Sequence, residues 1–224
     1  LGDPARMAAN FAGVIAGNDS RNDIVVRGNS PSGMLWQMEG LNIPNPNHFG
    51  SLTSTGGPVS ILNNNNLAKS DFLTSAFPAQ YGNGLSGVFD LRLRNGNDEK
   101  REYLGQMGFN GFELGAEGTF STPNPTKGSY IFNYRYSTLG VFQKLGIQFG
   151  TGNAIPNYQD LNFKINLPLS PKVTLSAFGM GGLSDVNFDG NKEDTTGKNL
   201  YGSENENSRV KFGAAVGGLA LDIQ

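Results

Sequence analysis

From Tyr103 onward the chain alternates apolar and polar residues with period two, and the alternation recurs in segment after segment. Tyr130, Phe132, Tyr134 and Tyr136 alternate with Ser129, Asn133 and Arg135. Leu161, Phe163, Ile165, Leu167 and Leu169 alternate with Asp160, Asn162, Lys164 and Asn166. Phe112, Leu114, Ala116 and Phe120 oppose Glu113, Glu117 and Thr119, while Val173, Leu175 and Ala177 lead a fifth segment and Val210, Phe212, Ala214 and Val216 a sixth. Successive strand side chains point to opposite faces, so each segment reads as a strand with one apolar and one polar face. A soluble sandwich also reads this way. Two features favour membrane strands. The segments run to roughly ten residues, as a tilted membrane strand requires, rather than the ~5–6 of globular sheets. The connections also alternate in length: short at Asn110-Gly111, modest from Ser121 to Lys127, long from Thr138 to Asn157, minimal at Ser170-Pro171, long again from Leu183 to Ser208. Short turns on one side and long loops on the other are the habit of outer-membrane barrels.

This pattern predicts an antiparallel meander with a tight turn at Asn110-Gly111, the strongest short hairpin signal. It puts Phe112, Leu114, Tyr130, Phe132, Leu161, Phe163, Val173, Leu175, Val210 and Phe212 on the lipid face, the tyrosines as wall and interfacial girdle. Glu113, Arg135 and Lys164 then face inward.

Residues 1–98 follow other rules, and the charged stretch Asn95 to Glu102 marks the change, leaving 99–224 to the regular strands. Short strand-like pieces (Asp23 to Arg27, Met34 to Glu39, Ser70 to Thr74, Val88 to Arg94) are separated by Gly, Asn and Pro loops. Pro58 at a first turn predicts one helix over Pro58 to Asn63, ended by the asparagine run to Asn66. Trp36 belongs to a strand and reads as a packing residue. The chain as a whole holds 32 Gly and 11 Pro and is only 16% charged, a composition of turns and strands rather than helices. No apolar run approaches the ~18 residues of a membrane helix, which says nothing about spanning by strands. The start, LGDPARMAAN, has neither the basic nor the apolar region of a signal peptide.

Several function classes drop out. Net charge is −2, so no basic field attracts nucleic acid. With 0 Cys there are no disulfides or thiolate sites, and with 1 His a histidine-based metal site is not expected. Gly82, Gly84 and Gly87 in YGNGLSG spell G-x-G-x-x-G, but the alternating run Val88 to Arg94 that follows is a strand. A dinucleotide site requires a helix there. No Ser/His/Asp arrangement converges, and neither catalysis nor a cofactor is expected.

The segments RNDIVVRGNSP, LWQMEGLNIPNPNHFG, VSILN and DFLTSAFPAQYGNGLSGVFDLRLRNGN, in that order, resemble the plug domain of TonB-dependent outer-membrane receptors, particularly their Bacteroidetes branch. ELGAEGTF and SYIFNYRYSTLG are similar to the first strands of that family's barrel. Glu39 departs from the family's usual Asp before Gly, and Thr119 from its usual Pro after Glu-Gly. The resemblance implies a mainly β chain: a small α+β plug over 1–98, then about six antiparallel strands of a transmembrane β-barrel over 99–224. Family barrels have about 22 strands, so the chain would be part of a larger receptor. The glycines of YGNGLSG would hold plug geometry through positive φ and close backbone approach.

The same resemblance implies the functional residues. Arg27 and Arg94 would lock the plug to wall glutamates, with Glu113 and Glu117 as partners. Asn29, Ser30, Pro31, Asn45, Asn47, His48 and Phe49 would sit on apical loops facing the extracellular ligand. The implied function is active uptake across the outer membrane of a Gram-negative bacterium, with a TonB-type protein relaying energy to the plug. The ligand would be a siderophore, glycan, cobalamin or peptide, and membrane lipid and a surface lipoprotein are further partners. The alternative is a structural subunit of an outer-membrane secretion or assembly complex.

Overall fold

The computed structural model describes residues 3–17, 21–50, 56–108, 111–123, 125–137, 154–188 and 208–223. A small mixed domain comes first. A one-turn helix α1 (Pro4–Ala8), capped by Asp3, leads into a hairpin of β1 (Val14–Ala16) and β2 (Ile24–Val26). β3 (Met34–Met38) turns back into β4 (Leu41–Ile43), and β5 (Asn47–His48) pairs with β6 (Val59–Ser60). β7 (Asp71–Leu73) and β8 (Gly87–Leu91) complete a four-stranded sheet of order β4-β3-β8-β7, in which β3 and β8 run parallel. Its core holds Val26, Met38, Ile61, Leu62 and Leu91, with Trp36 stacked on Phe89 at 4.8 Å.

Pro58 to Asn63 is not a helix. Val59 and Ser60 pair across to β5, and the Ile61 N–H donates to the Pro46 carbonyl, so the backbone groups a helix would use are bonded to another segment. Only Asn64–Asn66 closes a 3-10 turn, capped by the Asn63 side chain accepting from the Asn65 N–H. None of the glycines of YGNGLSG has positive φ, and of the three only Gly84 and Gly87 serve close approach, an added Cβ at Gly82 meeting open space. A Cβ at Gly87 would stand 2.7 Å from the Met34 sulfur, and one at Gly84 2.8 Å from a Val88 methyl.

The second half is a six-stranded antiparallel sheet: β9 (Glu102–Gly108), β10 (Gly111–Phe120), β11 (Gly128–Tyr136), β12 (Ala154–Ser170), β13 (Val173–Phe188) and β14 (Ser208–Ile223). Each strand pairs only with its sequence neighbours, as the alternation requires. β12, β13 and β14 reach 16 to 17 residues, longer than the segments the periodicity marks. Gly108 pairs with Gly111, so Gly111 belongs to β10 and not to the turn expected at Asn110-Gly111; Phe109 and Asn110 lie outside the described residues. Ser170 pairs with Val173, so the β12–β13 turn is Pro171-Lys172, one residue later than expected. A bulge between Pro168 and Ser170 absorbs that step, at a proline whose nitrogen has no ladder hydrogen to give. Most of both long loops, residues 138–153 and 189–207, lies outside the described residues.

The sheet is inverted relative to a soluble one. On β12 the polar Asp160, Asn162, Lys164 and Asn166 are buried, while Leu161, Ile165 and Leu169 are 41 to 46% exposed. Their buried face is covered by the small domain. A water-soluble sheet would bury the leucines.

β14 corrects the expected face of Phe212; Val210, in step with it, is 41% exposed. Phe212 is paired with Ser184 and Val216 with Met180, and those β13 residues point inward. Phe212 meets Phe49 of the small domain edge-on at 6.1 Å, and Ala214, Val216 and Ala220 pack on the small domain's core. Leu219, Leu221 and Ile223 take the exposed face instead. The core also takes in Phe178 and Met180 of β13, so here the domain meets the sheet through apolar contacts.

Candidate functional site

Where β10, β11 and β12 face the small domain, the contact is a seam of charges and amides. Its upper cluster centres on Asp160. Arg135, one strand over and directly opposite, donates from Nε at 3.0 and 3.1 Å and from Nη2 at 2.8 Å to the Asp160 carboxylate. The same Nη2 donates to the Ser60 carbonyl of β6. His48 of β5 completes the cluster with Nε2 at 2.9 Å from Asp160 Oδ2. The carboxylate and the imidazole are both 0% exposed, and the guanidinium side chain 22%.

His48 is held neutral. Burial lowers its pKa below the ordinary 6.5, and the hydrogen bond and charge of Asp160 oppose that shift without reversing it. The geometry agrees. Nε2–H donates to Asp160, and Nδ1 is buried with no partner among the described residues. A lone pair left so is tolerable, whereas an imidazolium would bury an unpaired N–H. Tyr158 stands against the ring at 4.9 Å between centroids. Phe49, at φ 55°, donates its N–H to Ser184 Oγ at 3.3 Å.

Amides fill the middle of the seam. Asn162 Nδ2 donates to the Ile61 carbonyl at 2.9 Å, and Asn66 Nδ2 to the Asn162 carbonyl at 3.0 Å. Below them Lys164 Nζ donates to Glu39 Oε1 at 3.2 Å and to the Leu93 carbonyl at 2.9 Å, while the Leu93 N–H donates to the same Glu39 oxygen at 2.6 Å. Glu39 makes these contacts from a left-handed backbone, φ 51°. Such a conformation costs a residue with a Cβ about 1 kcal/mol or more, and here surrounding bonds hold it.

Two of the expected locking residues meet. Arg94 donates to Glu117 through both terminal nitrogens, at 2.6 and 2.7 Å, and through Nε to the Asn65 carbonyl. The Asn97 N–H adds a bond to Glu117 at 2.9 Å. Two residues on, Gly96 lies so close to Tyr130 that a Cβ would collide with its backbone carbonyl. Glu113 takes amides instead of an arginine, accepting from Asn63 at 3.0 Å and Asn65 at 2.6 Å. Arg27 stands apart. It is exposed at the end of β2 with φ 50°, and carries no ion pair among the described residues. Arg94→Ala should therefore weaken the seat of the domain by about 1 kcal/mol, reduced by its 38% exposure. Arg27→Ala should stay within about 0.5 kcal/mol. Urea titration of the two variants side by side checks the contrast.

The loop residues divide. Asn29 and Ser30 are exposed and Pro31 half-buried, with Ser30 capping the short turn Pro31–Gly33. Asn45 and Phe49 are half-buried. Asn47 and His48, expected to face ligand, are 5% and 1% exposed; Asn47 bonds Asn22 inside the domain, and His48 bonds the sheet. They hold structure at this position and present nothing to an outside molecule. Beside the Asp160 cluster opens a cleft of about 900 Å³ lined in part by Arg6, Asn10, Gln106, Glu113, Arg135 and Tyr158. Sequence reasoning missed Asp160, Glu39, Asn66 and Asn162 as seam residues. Asp160 and Asn162 carried a signal, as polar residues in step with Lys164 on one face of a strand. Among the described residues no three His, Cys, Asp or Glu side chains group as metal ligands.

No protein-family model and no curated protein matches this sequence. Solved structures do match it. FpvA of Pseudomonas aeruginosa, solved with heterologous pyoverdines, superposes on 100% of this chain with a TM-score of 0.61 at 13% identity. The siderophore receptor PirA of Acinetobacter baumannii covers 84% at TM-score 0.56 and 14% identity. The ferric enterobactin receptor PfeA of P. aeruginosa covers 83% at 0.52 and 18%. The fold is shared with these receptors. This chain spans about 30% of the length of each.

Proposed function

We propose that residues 1–98 are the plug, and residues 99–224 the first barrel strands, of a TonB-dependent outer-membrane receptor that takes up an extracellular ligand. The observation that carries this reading is the inverted sheet. Its apolar face is bare, and its buried polar face is filled by a separate small domain. A sheet with a lipid side and a domain-filled inside is what a plugged barrel requires. The likeness to structures of siderophore receptors supports the same assignment. In this reading the cleft beside Asp160 receives ligand. The seam holds the plug closed, and a TonB-type protein pulls on it to open the path. No reaction is catalysed.

The test is energised accumulation. Cells expressing the intact receptor are given labelled ferric siderophores, cobalamin, peptides and oligosaccharides, with and without the TonB-type protein. Accumulation of one class that stops when the coupling protein is deleted supports the assignment. No energised accumulation of any class, with the receptor folded in the outer membrane, would overturn it in favour of a structural subunit.

A further inference from the structure

The seam contains a titratable latch, and its location determines what titration would do. His48 reaches the sheet from β5, on the short β5–β6 pair that also supplies Ser60 to Arg135. Resting on the plug assignment above, we propose that His48 makes closure of the plug pH-dependent, so that acid releases the β5–β6 segment from Asp160 and loosens the plug from the wall.

The groups facing His48 determine the sign. β12 contributes Asp160 at hydrogen-bond distance and the Tyr158 ring; β11 contributes the Arg135 guanidinium, already paired to Asp160. β13 contributes no charge there. Gly182 stands so close that a Cβ would meet His48 Cε1 at 2.6 Å, and Ser184 is engaged by the Phe49 N–H. β14 brings Phe212 against Phe49. With neutral His48 the cluster is one cation and one anion. Protonation makes it two cations on one carboxylate, in a site without water-facing surface on imidazole or carboxylate. The new Nδ1 proton would have no acceptor among the described residues. Burial already holds the imidazole below its ordinary pKa. The undocked state therefore binds more protons than the docked state. Closure is fully supported above about pH 6.5 and weakens as pH falls below it, by up to about tenfold per pH unit until docked His48 itself titrates.

The experiment measures hydrogen exchange over residues 46–62 in the intact receptor in liposomes, each rate divided by its intrinsic rate at that pH. Wild-type protection should be flat above about pH 7 and fall by up to about tenfold per unit below about 6.5. His48→Gln keeps an amide donor for Asp160 and cannot titrate, so its protection should not respond to acid. The imidazole resonance of His48 in the wild type, a direct reading that needs no variant, should titrate below the ordinary 6.5, at the acid end of the window in which protection falls. Wild-type protection flat down to about pH 5, an acid response retained by His48→Gln, or titration of His48 without loss of protection would each overturn the latch. Energised uptake at neutral pH reads the transport assignment separately, so failure of one does not mimic failure of the other.

Discussion

Asp160→Ala should loosen the small domain from the sheet by about 3–5 kcal/mol, the largest effect expected of any single substitution in the seam. The carboxylate is 0% exposed and holds both the Arg135 guanidinium and His48 Nε2. Its removal leaves a mostly buried cation whose named remaining bond is the Ser60 carbonyl, and strands the Nε2 proton. The loss is not the worth of the pair itself, because burying two charges costs nearly what their attraction returns. The penalty comes from leaving one charge without the other. The wall should survive, since its ladder of backbone bonds does not pass through the Asp160 side chain. The intact variant in liposomes should keep its β circular dichroism, unfold its plug segments at lower urea, and leak small solutes that wild type retains. Equal urea midpoints and equal leakage would show that this cluster does not hold the plug.

If this face meets lipid as proposed, Phe163→Arg should cost about 2–4 kcal/mol of sheet stability, as charges do on a lipid face near mid-membrane. Phe163 lies near the middle of β12, between Phe132 and Gly179 on its neighbours. The next residue, Lys164, carries a charge at nearly the same depth and is stable there, because its ammonium turns inward to Glu39 and the Leu93 carbonyl. One step along the strand reverses the solvent. Urea unfolding in bilayers reads the difference, and an unchanged midpoint for Phe163→Arg would reverse the assignment of faces.

How far the sequence could be read depended on what each strand faces. The faces of β12 were legible, though not its length, since they differ sharply: Leu161, Phe163 and Ile165 on one, Asp160, Asn162 and Lys164 on the other. β14 was not. It is apolar on its outer face and meets the apolar core of the small domain on the other, so Phe212 matched the outward pattern while packing inward. Alternation distinguishes polar from apolar surroundings, and cannot tell two apolar surroundings apart. The seam was half legible. Arg94 and Glu117 stood out through a resemblance, and they pair; Arg27 came from the same reading and makes no ion pair among the described residues. His48 sits in a stretch of Pro and Asn that reads as exposed loop, and its partner lies 112 residues away. Only the folded chain brings a strand over it. Pro58 likewise satisfies a local rule for a helix start, and pairing of Val59 and Ser60 with β5 outweighs it.

The central claim is that one face of this sheet meets lipid while the other is sealed by the small domain. Fluorescence quenching by brominated lipid tests both halves at once. Trp36 is the only tryptophan of the chain, 3% exposed in the core of the small domain. The intact receptor in brominated bilayers, with tryptophans elsewhere replaced by phenylalanine, should therefore keep its Trp36 emission. A second protein carrying Trp36→Phe and Phe163→Trp should lose most of its emission in the same bilayers. Strong quenching of Trp36, or full emission from the residue at 163, would contradict the account.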